Sequence, residues 1–238
     1  MNSLKQVLRD AVGKLFFSEL TVESTLDVST HFRRINLVGA ALENGALHAG
    51  DKLQILVDGG PRTFTPFDFD ARRGALSLLA FLHGDTPAAT WARDAAVGSK
   101  IQVFGPRSSL GLDALTGATV LVGDETSFAL ARTLLDTAPA ARPAFLFEVT
   151  SLEESKRALD HLGVPTDGLV ERRLNGAHFA TLEQRVRSAL TSRVPVNLVL
   201  TGRAQAIQEL RASLRERPLP QVTQKVKAYW APGKRGLD

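Results

Sequence analysis

Cysteine is absent from all 238 residues. That excludes a disulfide framework, a thiol nucleophile, and any zinc, haem or iron–sulfur site held by cysteine. Redox chemistry in such a chain needs a borrowed centre bound without thiolates. Aromatic residues make up only 6%, with two Trp and one Tyr, so the stacked rings interleaved with cations that a single-stranded nucleic acid needs are missing. Long apolar runs are missing too: residues 119–122 and 194–200 are far shorter than the ~20 residues that span a bilayer. Residues 1–20 carry Lys5, Arg9, Asp10 and Lys14 where a secretory leader needs an apolar stretch. A cytoplasmic protein with no nucleic-acid partner and no stable membrane insertion is expected. Glycine and proline are ordinary in number and show no short period, which sets aside fibrous and solenoid architectures.

What is present is a globular composition, 44% hydrophobic and 23% charged, long enough at ~150 residues per domain for one large or two modest domains. The net charge of +4 is unevenly placed: residues 1–120 sum to zero, 121–170 to −4 and 171–238 to +8. The C-terminal excess is either a solvated basic helix face or a field that draws an anionic ligand.

Two periodicities divide the chain. Residues 32–38, 51–57, 62–66, 75–83 and 100–104 are short β-type runs separated by Asn44-Gly45, Gly59-Gly60-Pro61, Gly74 and Gly98, as in a small antiparallel barrel. Thr86 and Pro87 open a helix over residues 86–96. Past Gly117, strands at 119–123, 143–149 and 196–200 alternate with helical spacing at 126–137 and 204–215. Thr126 reads as a helix cap, and Ser151 with Glu154 and Thr181 with Gln184 read as capping boxes. The expected fold is a β-barrel over residues 1–112 followed by a doubly wound, parallel α/β domain over 113–238, with the boundary between Pro106 and Gly117. Ligands of open parallel sheets bind beyond the carboxyl ends of the strands, so a site is expected where the domains meet.

Two local patterns suit a flavin dinucleotide. On a strand, Arg62 and Phe64 share one face while Thr63 and Thr65 share the other, offering a cation, an apolar plate and hydroxyls. Exposed strand residues of no special role would look the same. His83-Gly84 leads into a helix start with small residues, Pro87, Ala88, Ala89 and Thr90, where free N–H groups and the helix dipole favour phosphate. Trp91, one turn in, is either core packing or a cofactor contact. Gly123-Asp124-Glu125-Thr126 closes a strand without a G-x-G-x-x-G fingerprint, and its two acids would repel a tightly held pyrophosphate. Arg203, past the 196–200 strand, is either a phosphate ligand or a helix-surface residue.

Taken in order with Gly105-Pro106-Arg107, Tyr229-Trp230 and Gly233, these patterns resemble the siderophore-interacting proteins, flavin-dependent ferric-siderophore reductases, over roughly residues 30–236. The resemblance implies an FAD-binding barrel and a domain for NADPH or NADH, or for ferredoxin as donor, in a ferredoxin-reductase-like arrangement. It implies FAD contacts from Arg62, Thr63, Phe64, Thr65, His83, Gly84, Pro87, Ala88, Ala89, Thr90 and Trp91. Asp124, Glu125 and Thr126 would lie at the approach to the donor domain, and Tyr229 and Trp230 near the flavin. The family pattern commonly has Tyr where Phe64 stands and Arg where Phe67 stands, so a hydroxyl and a phosphate partner are lost. The implied partner is a ferric siderophore or another ferric chelate, and Lys225, Lys227, Lys234 and Arg235 are candidates to attract it. Such electron transfer needs no acid, base or nucleophile, so no catalytic side chain is expected. A flavin reductase with another acceptor and a non-enzymatic chelate- or flavin-binding protein are the alternatives.

Overall fold

The computed structural model describes residues 17–193, 195–219 and 221–234. The first half is a curled antiparallel sheet of seven strands: β1 (Ser18–Ser29), β2 (Phe32–Val38), β3 (Lys52–Val57), β4 (Gly60–Phe64), β5 (Phe67–Asp70), β6 (Ala75–Phe81) and β7 (Lys100–Arg107), in the order β4-β3-β7-β1-β2-β6-β5. Alternation explains its core. Phe32, Ile35 and Leu37 of β2 are buried while their neighbours are half-exposed. One helix, α1 (Pro87–Asp94), bridges β6 and β7. Its Thr86 hydroxyl accepts from the Ala89 N–H, and Ala89 and Ala92 pack inward.

The second half is a parallel sheet in the order β10-β9-β8-β11-β12, built from β8 (Ala118–Gly123), β9 (Pro143–Val149), β10 (Leu169–Glu171), β11 (Val196–Arg203) and β12 (Val222–Trp230). The helices are α2 (Phe128–Thr137), α3 (Leu152–Leu162), α4 (His178–Thr191) and α5 (Ala204–Glu216). β8, β9 and β11 are apolar almost throughout because both of their faces are covered.

The position of α2 fixes how the halves meet. Phe128, Ala129, Leu130, Ala131, Thr133 and Leu134 are all buried, so this helix is enclosed on most sides, with Arg132 and Asp136 marking its polar side. Phe128 stacks on Phe32 of the barrel at 5.5 Å and meets Phe147 of the parallel sheet at 5.0 Å. The Thr133 hydroxyl donates to the Pro66 carbonyl at 3.0 Å. One core therefore runs through both halves, and the carboxyl ends of the parallel strands are held against the barrel.

Several local expectations are corrected. The strand expected at 62–66 lies at Gly60–Phe64, and a separate strand follows at Phe67–Asp70. Thr126 is not a helix cap: the Asp124 carboxylate accepts from the Thr126 N–H and caps a 3-10 turn, Glu125–Ser127, ahead of α2. Thr181 does not open its helix, because α4 already begins at His178. At Ser151 half of the capping box forms. Its hydroxyl accepts from the Glu154 N–H, but the Glu154 carboxylate turns to the barrel instead.

Candidate active site

A cleft of about 300 Å³ opens where the barrel faces the carboxyl ends of the parallel strands. From the barrel it is lined by His31, Phe32, Phe81 and His83, and from the α/β half by Glu125, Thr126, Glu154 and Arg172. His83 lies parallel to Phe81 at 5.2 Å, so the barrel wall presents flat rings. Trp230, at the end of β12, forms the remaining wall, with its ring 6.5 Å from His83.

The rim is clasped across the domains. One oxygen of Glu154, at the start of α3, accepts from the His31 N–H at 3.0 Å, the His31 ring at 2.8 Å and the Ser29 hydroxyl at 3.2 Å. Partial desolvation opposes the charge on Glu154, but the His31 hydrogen bonds outweigh it and hold the carboxyl below its usual value.

Beneath the cleft lies a polar cluster that sequence reasoning missed. Glu148, buried at the end of β9, takes two bonds from Arg203 at 2.7 and 2.8 Å and meets His178 Nε2 at 2.9 Å. The Arg173 N–H donates to His178 Nδ1, so that imidazole is neutral with its proton on Nε2. Burial works against the Glu148 charge, yet the bonds from Arg203 and His178 and the nearby Arg172 hold its pKa below the ordinary value. Glu125, also buried, accepts from Arg172 at 3.0 Å and from the Thr150 N–H at 2.5 Å. Arg203 is thus neither a surface residue nor a free phosphate ligand: its charge is spent on Glu148. No local spacing announces this cluster, because its members come from β9, β11, α4 and the segment after β10.

Asp124 is fully buried at the end of β8. Its Oδ1 accepts from the Thr126 N–H and hydroxyl, and its Oδ2 accepts from the Trp230 indole N–H at 2.7 Å. Desolvation, reinforced by Glu125, raises its pKa to about 6 despite those hydrogen bonds. The Tyr229 hydroxyl is buried against Thr65 of the barrel, and burial raises its pKa.

Of the candidate site residues singled out from the sequence, His83, Gly84, Glu125, Thr126 and Trp230 line the cleft, and the other described ones lie outside its lining. Phe64 and Trp91 meet edge to face at 5.7 Å, joining the end of β4 to α1. Arg62 lies beside the Gly59 turn and donates through Nη1 to the carbonyls of Gly59, Gly60 and Pro61. Thr63 is exposed on the opposite face, and Thr65 reaches Tyr229. Gly84 turns the chain at φ 54° into α1, with open space where a Cβ would sit, and Pro87 and Thr90 are exposed at that helix tip while Ala88 is half-buried. Phe67 is fully buried under the Arg34 guanidinium, so no phosphate partner is possible there. Lys225, Lys227 and Lys234 do not line the cleft. Lys225 is exposed on β12 opposite Val199, the Lys227 ammonium donates to the Ser109 hydroxyl at 2.7 Å, and Lys234 follows the strand. Arg235 lies outside the described residues. No helix among the described residues is long and apolar enough to cross a membrane.

Comparison with known families and structures agrees with this geometry. A family model described as "Siderophore-interacting FAD-binding domain" matches residues 56–110, and one described as "Siderophore-interacting protein" matches residues 116–233. A search of curated proteins finds no match. Among solved structures, a siderophore utilization protein from T. fusca is 22% identical, with a TM-score of 0.70 over 93% of this chain and 95% of that one. The siderophore-interacting protein SipS from Aeromonas hydrophila is 23% identical, with a TM-score of 0.70 over 92% and 93%. Phthalate dioxygenase reductase, described as transferring electrons from pyridine nucleotides to [2Fe-2S], is 14% identical, with a TM-score of 0.69 over 93% of this chain and 70% of that one. The architecture is that of the ferredoxin-reductase-like flavoproteins.

Proposed function

The chain belongs to the siderophore-interacting protein family, and from that premise we propose that it is an FAD-dependent reductase of ferric siderophores. It would take electrons from NADPH or NADH, or from ferredoxin, and release ferrous iron. Residues 1–112 would hold FAD and residues 113–238 would receive the donor.

One observation carries this reading: His83 and Gly84, which lead into α1, and Trp230 at the end of β12 line one interdomain cleft, and beside it Phe64 packs on Trp91 and Thr65 meets Tyr229, although these segments are far apart in the chain. The fit to a flavin dinucleotide rests on the residues themselves. The α1 tip, with its small side chains and the open side of Gly84, leaves room for a pyrophosphate to approach backbone N–H groups. Arg62 stands beside that tip as a cation, and Phe64 with Trp91 offers apolar ring faces. When bound, FAD supplies the exchange between a two-electron donor and a one-electron acceptor. The chain's own residues bind, orient and exclude water. His83 and Trp230 bring aromatic rings to one edge of the cleft, and the His31–Glu154 clasp closes its rim.

Ferric iron is substrate here, delivered as a chelate and released because Fe²⁺ suits hard oxygen ligands less well. The basic residues Lys225, Lys227, Lys234 and Arg235 would draw an anionic chelate toward this end. Lys225 lies five residues before Trp230, roughly 17 Å along an extended strand, so it would act through its field, whereas Lys234 lies closer to the aromatic end.

Reconstitution tests the reading. Purified chain is titrated with FAD, reduced anaerobically with NADH or NADPH, and mixed with a ferric hydroxamate in the presence of a ferrous-specific chromophore. Flavin bleaching followed by chromophore colour is expected. A chain that binds FAD and is reduced, but never reoxidised by ferric chelates, would be a reductase for another acceptor. Failure to bind FAD at micromolar concentration would overturn the reading.

A further inference from the structure

Trp230 is held by a device that the functional reading leaves unexplained. β12 pairs in register with β11 as far as Gly202 opposite Ala228, and the register then slips so that Arg203 faces Trp230. The residue left over is Tyr229. A bulge of this kind re-aims side chains, and here neighbouring aromatics serve different domains: the Tyr229 hydroxyl reaches Thr65 of the barrel, while the Trp230 indole donates to Asp124 of the parallel sheet.

Gly202 makes the second contact possible. Its φ is +88°, and a Cβ there would lie 2.5 Å from Asp124 Oδ2, so only glycine leaves space for the carboxylate. Asp124 in turn is fixed by Thr126 through two bonds to its other oxygen. The indole thus hangs from a rigid, buried acceptor and forms a wall of the cleft.

We propose that Asp124 is a positioning residue, whose buried carboxylate fixes the Trp230 indole as a wall of the interdomain cleft and so sets the shape of that wall. The consequence for electron transfer rests on the flavin reading above; the position of the indole does not. A charged acceptor holds the N–H more strongly than a neutral one, so protonation of Asp124 loosens the wall. The charged or titratable groups around this pair are Glu125 beside Asp124 in the chain, Arg203 at the end of β11, the Tyr229 hydroxyl on β12, and His83 across the indole from the barrel.

The test uses the full chain with the substitution W91F, which leaves Trp230 as the single tryptophan. Indole emission and acrylamide quenching are followed from pH 8 down to about pH 5, a span that brackets the Asp124 pKa of about 6. A red shift and rising quenching on acidification are expected, both abolished by adding D124N, whose spectrum resembles the acid form at every pH. Adding D124A instead should raise quenching at pH 8, with the loosened population up about tenfold, the equivalent of one charge-assisted hydrogen bond. Indole signals identical with Asp, Asn and Ala at position 124 would overturn the proposal. So would a titration that survives D124N and disappears in H83N, which would assign it to His83. Should D124A fail to fold, the comparison of Asp with Asn still decides. Since none of these signals requires FAD, a negative result here is separate from failure of the reductase reading.

Discussion

Two buried carboxylates at the ends of neighbouring strands are pushed up alike by burial but shift in opposite directions, and the difference is measurable. Glu148 is surrounded by Arg203, Arg172 and a neutral His178 that donates to it, and these outweigh desolvation so that its pKa falls. Asp124 has hydrogen-bond donors but no ion-paired cation among the described residues, and desolvation with Glu125 alongside raises its pKa from 3.8 to about 6. A lowered pKa means that Glu148 contributes stability above its unfolded value, and that this is lost as pH falls through the folded value. A raised pKa means the reverse for Asp124: its contribution is full below its unfolded value and is lost as pH rises through about 6. Urea unfolding from pH 4 to pH 7 should show D124N gaining on the parent by an amount on the order of 2–3 kcal/mol across that window. A constant difference between the two would show that Asp124 titrates normally. E148Q should cost about 3–5 kcal/mol at pH 7, because it leaves the half-buried Arg203 guanidinium without its counter-charge while Arg172 keeps Glu125. The double variant E148Q/R203M should recover part of that loss, since removing both partners avoids the unpaired charge. The same urea series measures both.

At the scale of elements, helix α1 links a local capping interaction to the proposed cofactor. Its Thr86 hydroxyl satisfies the Ala89 N–H at 3.3 Å, and Pro87 needs no partner at the first helical position. T86A should cost about 1 kcal/mol of stability. On the flavin reading it should also weaken FAD binding, because the same helix tip faces the pyrophosphate, while T86S restores both; calorimetric unfolding and flavin titration measure the two effects. This helix was legible in the sequence because cap, proline and alanines lie next to one another. So were β2, β8, β9 and β11, whose apolar content is set by the core they enter. β1 and β12 were not. Both are rich in Thr, Ser, Gln, Glu or Lys and half-exposed, and their strand state is imposed by neighbours, with β1 between β2 and β7 and β12 along β11. β10 is three residues long and has no period to read. The site divides in the same way. The Gly84–Trp91 tip is local and legible, whereas Glu148 meets Arg203 across 55 residues and His178 across 30, and only the packing of α4, β9 and β11 brings them together.

For the molecule as a whole, the decisive feature is that the barrel and the α/β half are not separate bodies joined by a linker. Phe32 and Phe67 from the barrel belong to the same buried cluster as Phe128, Phe147 and Val199. The seam is further fixed by Asp68, which pairs with Arg34 of its own sheet and with Arg132 of α2. The proposed electron-transfer role of the cleft requires this, since a site built half from each side keeps its width only if the halves do not drift. The energetic corollary is a single cooperative transition for the whole chain rather than stepwise loss of one half. Barrel unfolding can be followed by Trp91 emission in the variant W230F, and α/β unfolding by far-ultraviolet circular dichroism, to which α2 to α5 are the main helical contributors. The two curves should coincide. F128A removes the ring that touches both Phe32 and Phe147, so it should cost about 3–5 kcal/mol and move both curves together. Were the dichroism curve alone to shift, with Trp91 emission unchanged, the halves would be energetically independent, and the cleft would need some other element to hold its width.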